Sequence, residues 1–187
     1  MIQRRCAWTA DNPYNNKYHD EEWGVPLHDD RKLFEFLILD AFQAGLSWLT
    51  ILKKRDNFRL AFDNFEAKKI AVYDDLKISE LIKNEGIIRN KLKINAAVTN
   101  AQAFLKTQAE FGTFDTYIWQ FTDHKTIVNH FKTGNNLPAT SPESDAMSKD
   151  LKKRGFKFVG STICYAFMQA AGMVNDHEVD CFRFNAK

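Results

Sequence analysis

The sequence lacks several things, and each absence narrows the reading. No apolar run approaches the roughly 18 residues of a membrane span, and the start, MIQRRCAWTADNPY, carries no apolar signal-peptide core. A cytoplasmic protein is therefore expected. Three cysteines, an odd number, argue against a disulfide framework and are too few for a four-cysteine iron–sulfur cluster. There is no internal repeat or low-complexity tract, and no convincing run of alternating strand residues. Neither charge sign dominates: 26 Lys and Arg face 24 Asp and Glu, for a net +2. Such a balance neither demands nor excludes nucleic acid, because local clusters decide that.

What is present is apolar and aromatic. Hydrophobic residues make up 44% of the 187 and aromatics 13%, including 16 Phe and 4 Trp. That suffices for a sizeable core in one domain over 1–187, with room for two helical lobes and a cleft. Apolar residues recur at three and four. In RKLFEFLILDAF, Leu33, Leu37 and Ala41 share a face beside Phe34, Ile38 and Phe42. KISELIKNEG predicts a short helix stopped by Gly86, NKLKINAAVTNAQAFLKTQAEF a long one over about 90–111, and FDTYIWQFT a short one. TSPESDAMSKDLKKRG has cap candidates Thr140 and Ser141, Pro142 for the first turn, acids early and bases late, then Gly155. STICYAFMQAAG follows as a second apolar helix. The expectation is an all-α fold with a loop-rich N-terminal segment and a surface connection at TGNNLPATSP (133–142).

Three constellations could carry chemistry. In LKKRGFKFVGSTICYAF (151–167), Gly155 and Gly160 permit positive φ and close backbone approach. The next helix would offer its first amides to a phosphate, beside Lys152, Lys153, Arg154 and Lys157. This reads as a helix–hairpin–helix gripping DNA backbone, or equally as an ordinary αα-turn with a solvated basic end. Lys53-Lys54-Arg55 reads as a solvated helix end. Cys6 and His19, with His177 and Cys181, could form a closed tetrahedral zinc set, since a helical turn would align the last two. Taken singly, each cysteine reads as a buried filler and each histidine as a surface residue. Cys164 reads as core. Finally, Trp8, Tyr18, Trp23 and Trp48 lie in weakly periodic sequence, with Asp40 at the end of an apolar helix. Aromatics usually build cores, but flat rings and a carboxylate would also hold a planar cation.

These pieces together resemble one family, the bacterial 3-methyladenine DNA glycosylase I enzymes of alkylation repair. The resemblance rests on CAW…YHDEEWGVP, FQAGLSWLTILKKRDNFRLAF, GIIRNKLKI and LKKRGFKFVGSTICYAFMQAAGMVNDH, and runs almost end to end. It implies a helix–hairpin–helix glycosylase fold with GFKFVG (155–160) as the hairpin. It implies a structural zinc on Cys6, His19, His177 and Cys181, joining the N- and C-terminal segments. The partner would be double-stranded DNA with alkylated bases, from which 3-methyladenine is flipped and removed. A cationic base is already a good leaving group, so monofunctional hydrolysis is expected, and since nothing in the sequence requires a dimer, a monomer is expected.

The resemblance further places Tyr18 and Trp48 as stacking rings, with Trp8 and Trp23 lining the slot. Gly45 and Leu46 become the wedge entering the vacated stack, and Gly155, Lys157 and Gly160 the backbone grip. Asp40 stands where the family usually has glutamate, one methylene longer; ionised, it would accept from the cationic base. Asp176, next to His177, reads as structural. Rival readings are a glycosylase of shifted alkylbase specificity, a non-enzymatic DNA-binding module, and a zinc-stabilised interaction protein.

Overall fold

The computed structural model describes residues 4–132 and 137–185, and helices dominate it. Of the connection expected at 133–142, residues 133–136 lie outside the described residues. α1 spans Pro13–Glu21, α2 Asp30–Gln43, α3 Trp48–Ala61, α4 Ala67–Ile70 and α5 Asp75–Lys83. α6 spans Lys91–Phe111, α7 Phe114–Trp119, α8 Pro142–Lys153 and α9 Ser161–Ala170. No helix among the described residues is long and apolar enough to cross a membrane.

α2 is the spine. Every residue from Leu33 to Phe42 is buried, so it is a core helix rather than a surface helix with one apolar stripe. Asp29 caps its start by accepting from the Lys32 amide at 2.8 Å. Its Phe34 ring lies 4.8 Å from Phe104 of α6, and Phe42 lies 4.9 Å from Phe58 of α3. α3, α6 and α9 all pack on it. Removing any one of these phenylalanine side chains would cost about 3–5 kcal/mol. Side-chain caps begin α3 (Ser47), α5 (Asp74) and α6 (Asn90), and a Ser141–Ser144 capping box begins α8.

Three expectations need correcting. The N-terminal segment is not merely loop: α1 forms there, started by Asn12 and Pro13. It buries only Tyr18 and His19, so it has no apolar stripe for periodicity to reveal. The α5 helix ends at Lys83, ahead of Gly86, because Asn84 turns extended and its side chain accepts from the Gly86 amide at 2.8 Å. The fold is also not purely helical. β1 (Ile127–Val128) pairs in parallel with β2 (Val174–Asn175). Two-residue strands are too short to show alternation. Between them these strands fasten the chain just before His177 to the body.

Candidate functional site

A cavity of about 330 Å³ opens where α1, α2, α3 and α9 meet. Trp8, Tyr18, Trp23, Asp40 and Trp48 all line it, so the five aromatic and acidic residues singled out from the sequence converge on one space. Each has its own support. α1 delivers Tyr18, whose ring centroid is 5.2 Å from Trp48 at the start of α3. Trp23 lies just past α1 and packs edge-on to Trp8 at 5.0 Å. Tyr18 and Trp23 belong to the core as well as to the cavity wall, each 5% exposed. Slot and core are here one structure. Gln43, Ser47, Leu49, Ala166 and Gln169, which no sequence pattern singles out, complete much of the wall.

Asp40 sits in the last turn of α2, 2% exposed. Its Oδ2 has no hydrogen-bond partner among the described residues. Burial pushes its carboxyl well above the ordinary range, only partly opposed by the charge of Arg55. The Arg55 guanidinium is committed elsewhere: it donates to Glu35 at 2.6 Å and to Glu22 at 2.7 Å. Arg55 is thus buried mid-helix, not part of a solvated end, because α3 continues to Ala61. Burial thus favours the neutral acid in the free protein, and a cation beside Asp40 would favour the carboxylate. The indole Nε1 atoms of Trp8 and Trp48 are also buried without a partner among the described residues. Buried polar atoms ordinarily find partners, so three orphans in one cavity mark a ligand site.

Beyond α2 the chain turns through Ala44, Gly45 and Leu46. Gly45 takes φ +79°, and Leu46 is 41% exposed at the turn beside the cavity, its amide donating to Gln43 O at 2.6 Å. Far along the chain, α8 and α9 flank the 155–160 hairpin. Gly155 takes φ +96° as expected. Gly160 does not: it is extended at φ −63° because it caps α9, and Phe158 carries the left-handed conformation instead at φ 55°. Nothing lies within 4 Å of a Cβ built on either glycine, which leaves both backbones open to an approaching group. α9 has no side-chain cap, so its first amides remain to be satisfied. Lys152, Lys153 and Lys157 are exposed beside it. Arg154 is not available to a partner. It is held by Glu110 and Asp150, both at 2.7 Å, and stacks on Phe111 and Tyr117.

Cys6, His19 and Cys181 offer ligand atoms all within 4.8 Å of one another, and all three are buried. His177 packs edge-on against His19, with ring centroids 4.9 Å apart, and stands next to the three rather than within that 4.8 Å group. No helical turn aligns it with Cys181, since the chain after β2 is extended and then turned. Both imidazoles have their Nδ1 atom engaged. His19 Nδ1 bonds Asp20 at 2.7 Å and His177 Nδ1 bonds Asn175 Oδ1 at 2.9 Å, which assigns the proton to Nδ1 and leaves Nε2 basic. Burial, with His19 nearby, pushes His177 down to about 3, so it is neutral. Its Nε2 has no partner among the described residues. Backbone amides of Glu178 and Arg183 donate to the Cys6 and Cys181 sulfurs. The Cys181 thiol is pulled down first by Cys6 and then by His19. Cys181 and burial push the Cys6 thiol up, so without a metal the two sulfurs share one thiolate character; two sulfurs and two imidazoles are nonetheless the donor types of a tetrahedral zinc.

Gly24, which no sequence pattern marks, guards this cluster. It takes φ +73°, and a Cβ there would stand 2.8 Å from His177 Cε1. Asp176 is buried and accepts from Asn129 (2.7 Å), Tyr165 (2.8 Å) and Gln169 (2.8 Å). Those three donors satisfy the Asp176 carboxylate, and one of them, Gln169, lines the cavity.

A helical protein with a buried acid between aromatic rings, an apolar turn at the rim and an open glycine hairpin has the parts to hold a flat ligand beside a gripped backbone. The comparisons with known proteins are specific. A family model for methyladenine glycosylase matches residues 8–184, and the chain belongs to that family. It is 48% identical over 177 residues to DNA-3-methyladenine glycosylase 1 of Escherichia coli (strain K12), covering 95% of each chain. A crystal structure of 3-methyladenine DNA glycosylase I superposes with a TM-score of 0.93 at 47% identity, over 96% of this chain and 98% of that one. A Staphylococcus aureus 3-methyladenine DNA glycosylase I, whose structure addresses recognition of 3-methyladenine, superposes at 0.92 with 35% identity, over 97% of both chains.

Proposed function

We propose that the protein excises 3-methyladenine from alkylated double-stranded DNA by monofunctional hydrolysis of the N-glycosidic bond. The observation that carries this is the cavity in which Asp40 Oδ2, Tyr18 and Trp48 meet with no internal partner for the acid among the described residues. Methylation at N3 makes adenine cationic and weakens its bond to the sugar, so the leaving group needs no acid. The C1′–N9 bond breaks with its electron pair going to the base, which departs neutral. Water bonds to C1′ and loses a proton to solvent. The enzyme's task is extraction, retention and admission of water.

Each residue has a part. Tyr18 and Trp48 stack on the extruded base, and Trp8 and Trp23 close the slot. Entry of a positive ring supplies Asp40 with the counter-charge that the free pocket denies it. The carboxyl then ionises and accepts from the base edge, so neutral purines gain less. Leu46, on its exposed turn at Gly45, fills the vacated stack. Gly155, Gly160, Lys157 and the first amides of α9 hold the phosphates without reading sequence. No lysine lines the cavity among the described residues, which leaves no amine positioned for a lyase step.

Zinc on Cys6, His19, His177 and Cys181 would serve as a structural staple, supplying fixed geometry between distant segments rather than chemistry on the base. The orphan Nε2 of His177 supports its membership in the set.

The test is direct. Methylated duplex DNA is incubated with the protein and the released bases are identified. Release of 3-methyladenine supports the proposal. Release of a different alkylated base would indicate shifted specificity, which the shorter Asp40 side chain favours by leaving more room in the slot. Duplex binding with no release would leave only a DNA-binding module.

A further inference from the structure

α6 sends two polar side chains into the protein, Lys93 (7% exposed) and Asn100 (0%). They are seven residues apart, two helical turns, and so leave the helix from one face. Lys93 Nζ donates to Phe42 O at 2.8 Å and to Ala44 O at 2.5 Å. The Leu46 amide donates to Gln43 O between them. The carbonyls at the end of α2, which a helix cannot satisfy by itself, are thus occupied just before the Leu46 turn. An ammonium there also suits the helix dipole. Two turns along, the Asn100 amide pairs with both backbone groups of Lys157. Its Nδ2 donates to Lys157 O at 3.1 Å, and its Oδ1 accepts from Lys157 N at 2.7 Å. One rigid helix therefore holds the exposed turn near its start and the glycine hairpin two turns along.

Stability alone does not call for this. A buried amine and a buried amide are costly unless paired, and apolar residues of similar volume would pack α6 as well. Neither side chain lines the cavity. What the pair does fix is an offset. A wedge and a backbone grip must act on one duplex at a set separation, and small misplacements are expensive in rate. We propose that α6 is the spacer of base extrusion, with Lys93 and Asn100 as positioning residues that fix the Leu46 turn relative to the 155–160 hairpin. This rests on the roles given to those two elements above.

The test compares two DNA substrates under single turnover: 3-methyladenine opposite thymine, and the same lesion opposite an abasic site, where extrusion costs less. Lys93→Met and Asn100→Leu are expected to bind free 3-methyladenine, followed by tryptophan fluorescence, within about twofold of wild type. Each should slow excision from the paired substrate by about tenfold or more and slow the unpaired substrate far less. Lys93→Arg, which keeps a cationic donor, should restore part of the paired-substrate rate. Equal slowing on both substrates, or no slowing on the paired one, would overturn the spacer role. Should Lys93→Met fail to fold, Lys93→Arg and Asn100→Asp carry the same comparison, and the same two results would overturn the role. Wild-type protein that releases no base from either substrate would remove the glycosylase reading, and the spacer with it.

Discussion

Replacing Asp40 with asparagine tests the cavity's logic from two sides. The change is nearly isosteric, so no void opens at a residue only 2% exposed. It removes one ionisable group whose Oδ2 has no partner among the described residues and whose carboxyl is held well above its ordinary value of 3.8, chiefly by burial. An acid raised in the folded state contributes stability that is complete below about pH 3.8. That contribution is lost as pH rises through the folded-state value. Wild-type stability should therefore decline from about pH 4 upward by as much as about 1.4 kcal/mol per pH unit from this group. Asp40→Asn should remove that decline, so the variant's advantage grows toward neutral pH. Activity should move the other way. Hydrogen bonds to a charged partner contribute about 1.5–3 kcal/mol, and the loss should slow excision of the cationic base from methylated DNA by about 10- to 100-fold. Urea titrations at a series of pH values and single-turnover excision measure the two halves. A variant that is no more stable near neutrality, or that excises the cationic base as fast as wild type, would refute the reasoning.

Three further outcomes are expected. Leu46→Ala should leave thermal stability within about 0.5 kcal/mol, since the side chain is largely exposed, yet slow excision from duplex DNA by about tenfold, measured under single turnover. Gly24→Ala should destabilise by about 2 kcal/mol or more, from positive φ and the 2.8 Å contact with His177, and should lower zinc stoichiometry in metal analysis. Removing zinc with a chelator should lower the melting temperature, with metal re-addition restoring it; an unchanged melting curve would dismiss the staple.

Much of the helical frame was legible because its pattern is local. α2, α6 and α8 carry periodic apolar residues and caps within one stretch of chain, and their limits came out nearly as expected. α1 was not legible, because a helix burying Tyr18 and His19 alone leaves no stripe. The site residues that were found are chemically unusual for their surroundings: a carboxylate ending an apolar run, tryptophans in polar sequence. Those that were missed act through distant partners. Gly24 is required by His177, Lys93 by the end of α2, and Gln169 is turned by Asp176. Arg55 reads as one of three surface bases until Glu35 from α2 and Glu22 from just past α1 meet it. The Gly160 expectation failed for a subtler reason. A glycine in a hairpin signals several conformations, and only the start of α9 decides that this one is extended.

The cysteine–histidine cluster also imposes a timetable on synthesis. His19 and Cys181 are 162 positions apart. At about 5–20 residues per second, Cys6 and His19 leave the ribosome on the order of ten seconds to half a minute before their partners exist. During that interval the first pair can neither complete a four-ligand site nor receive Trp23's contact with His177, which is 4.6 Å between ring centroids. The aromatic cavity and the cysteine–histidine cluster share that indole, so a nascent chain completes both only late, and a reagent that captures the waiting thiol beforehand would disturb the two together.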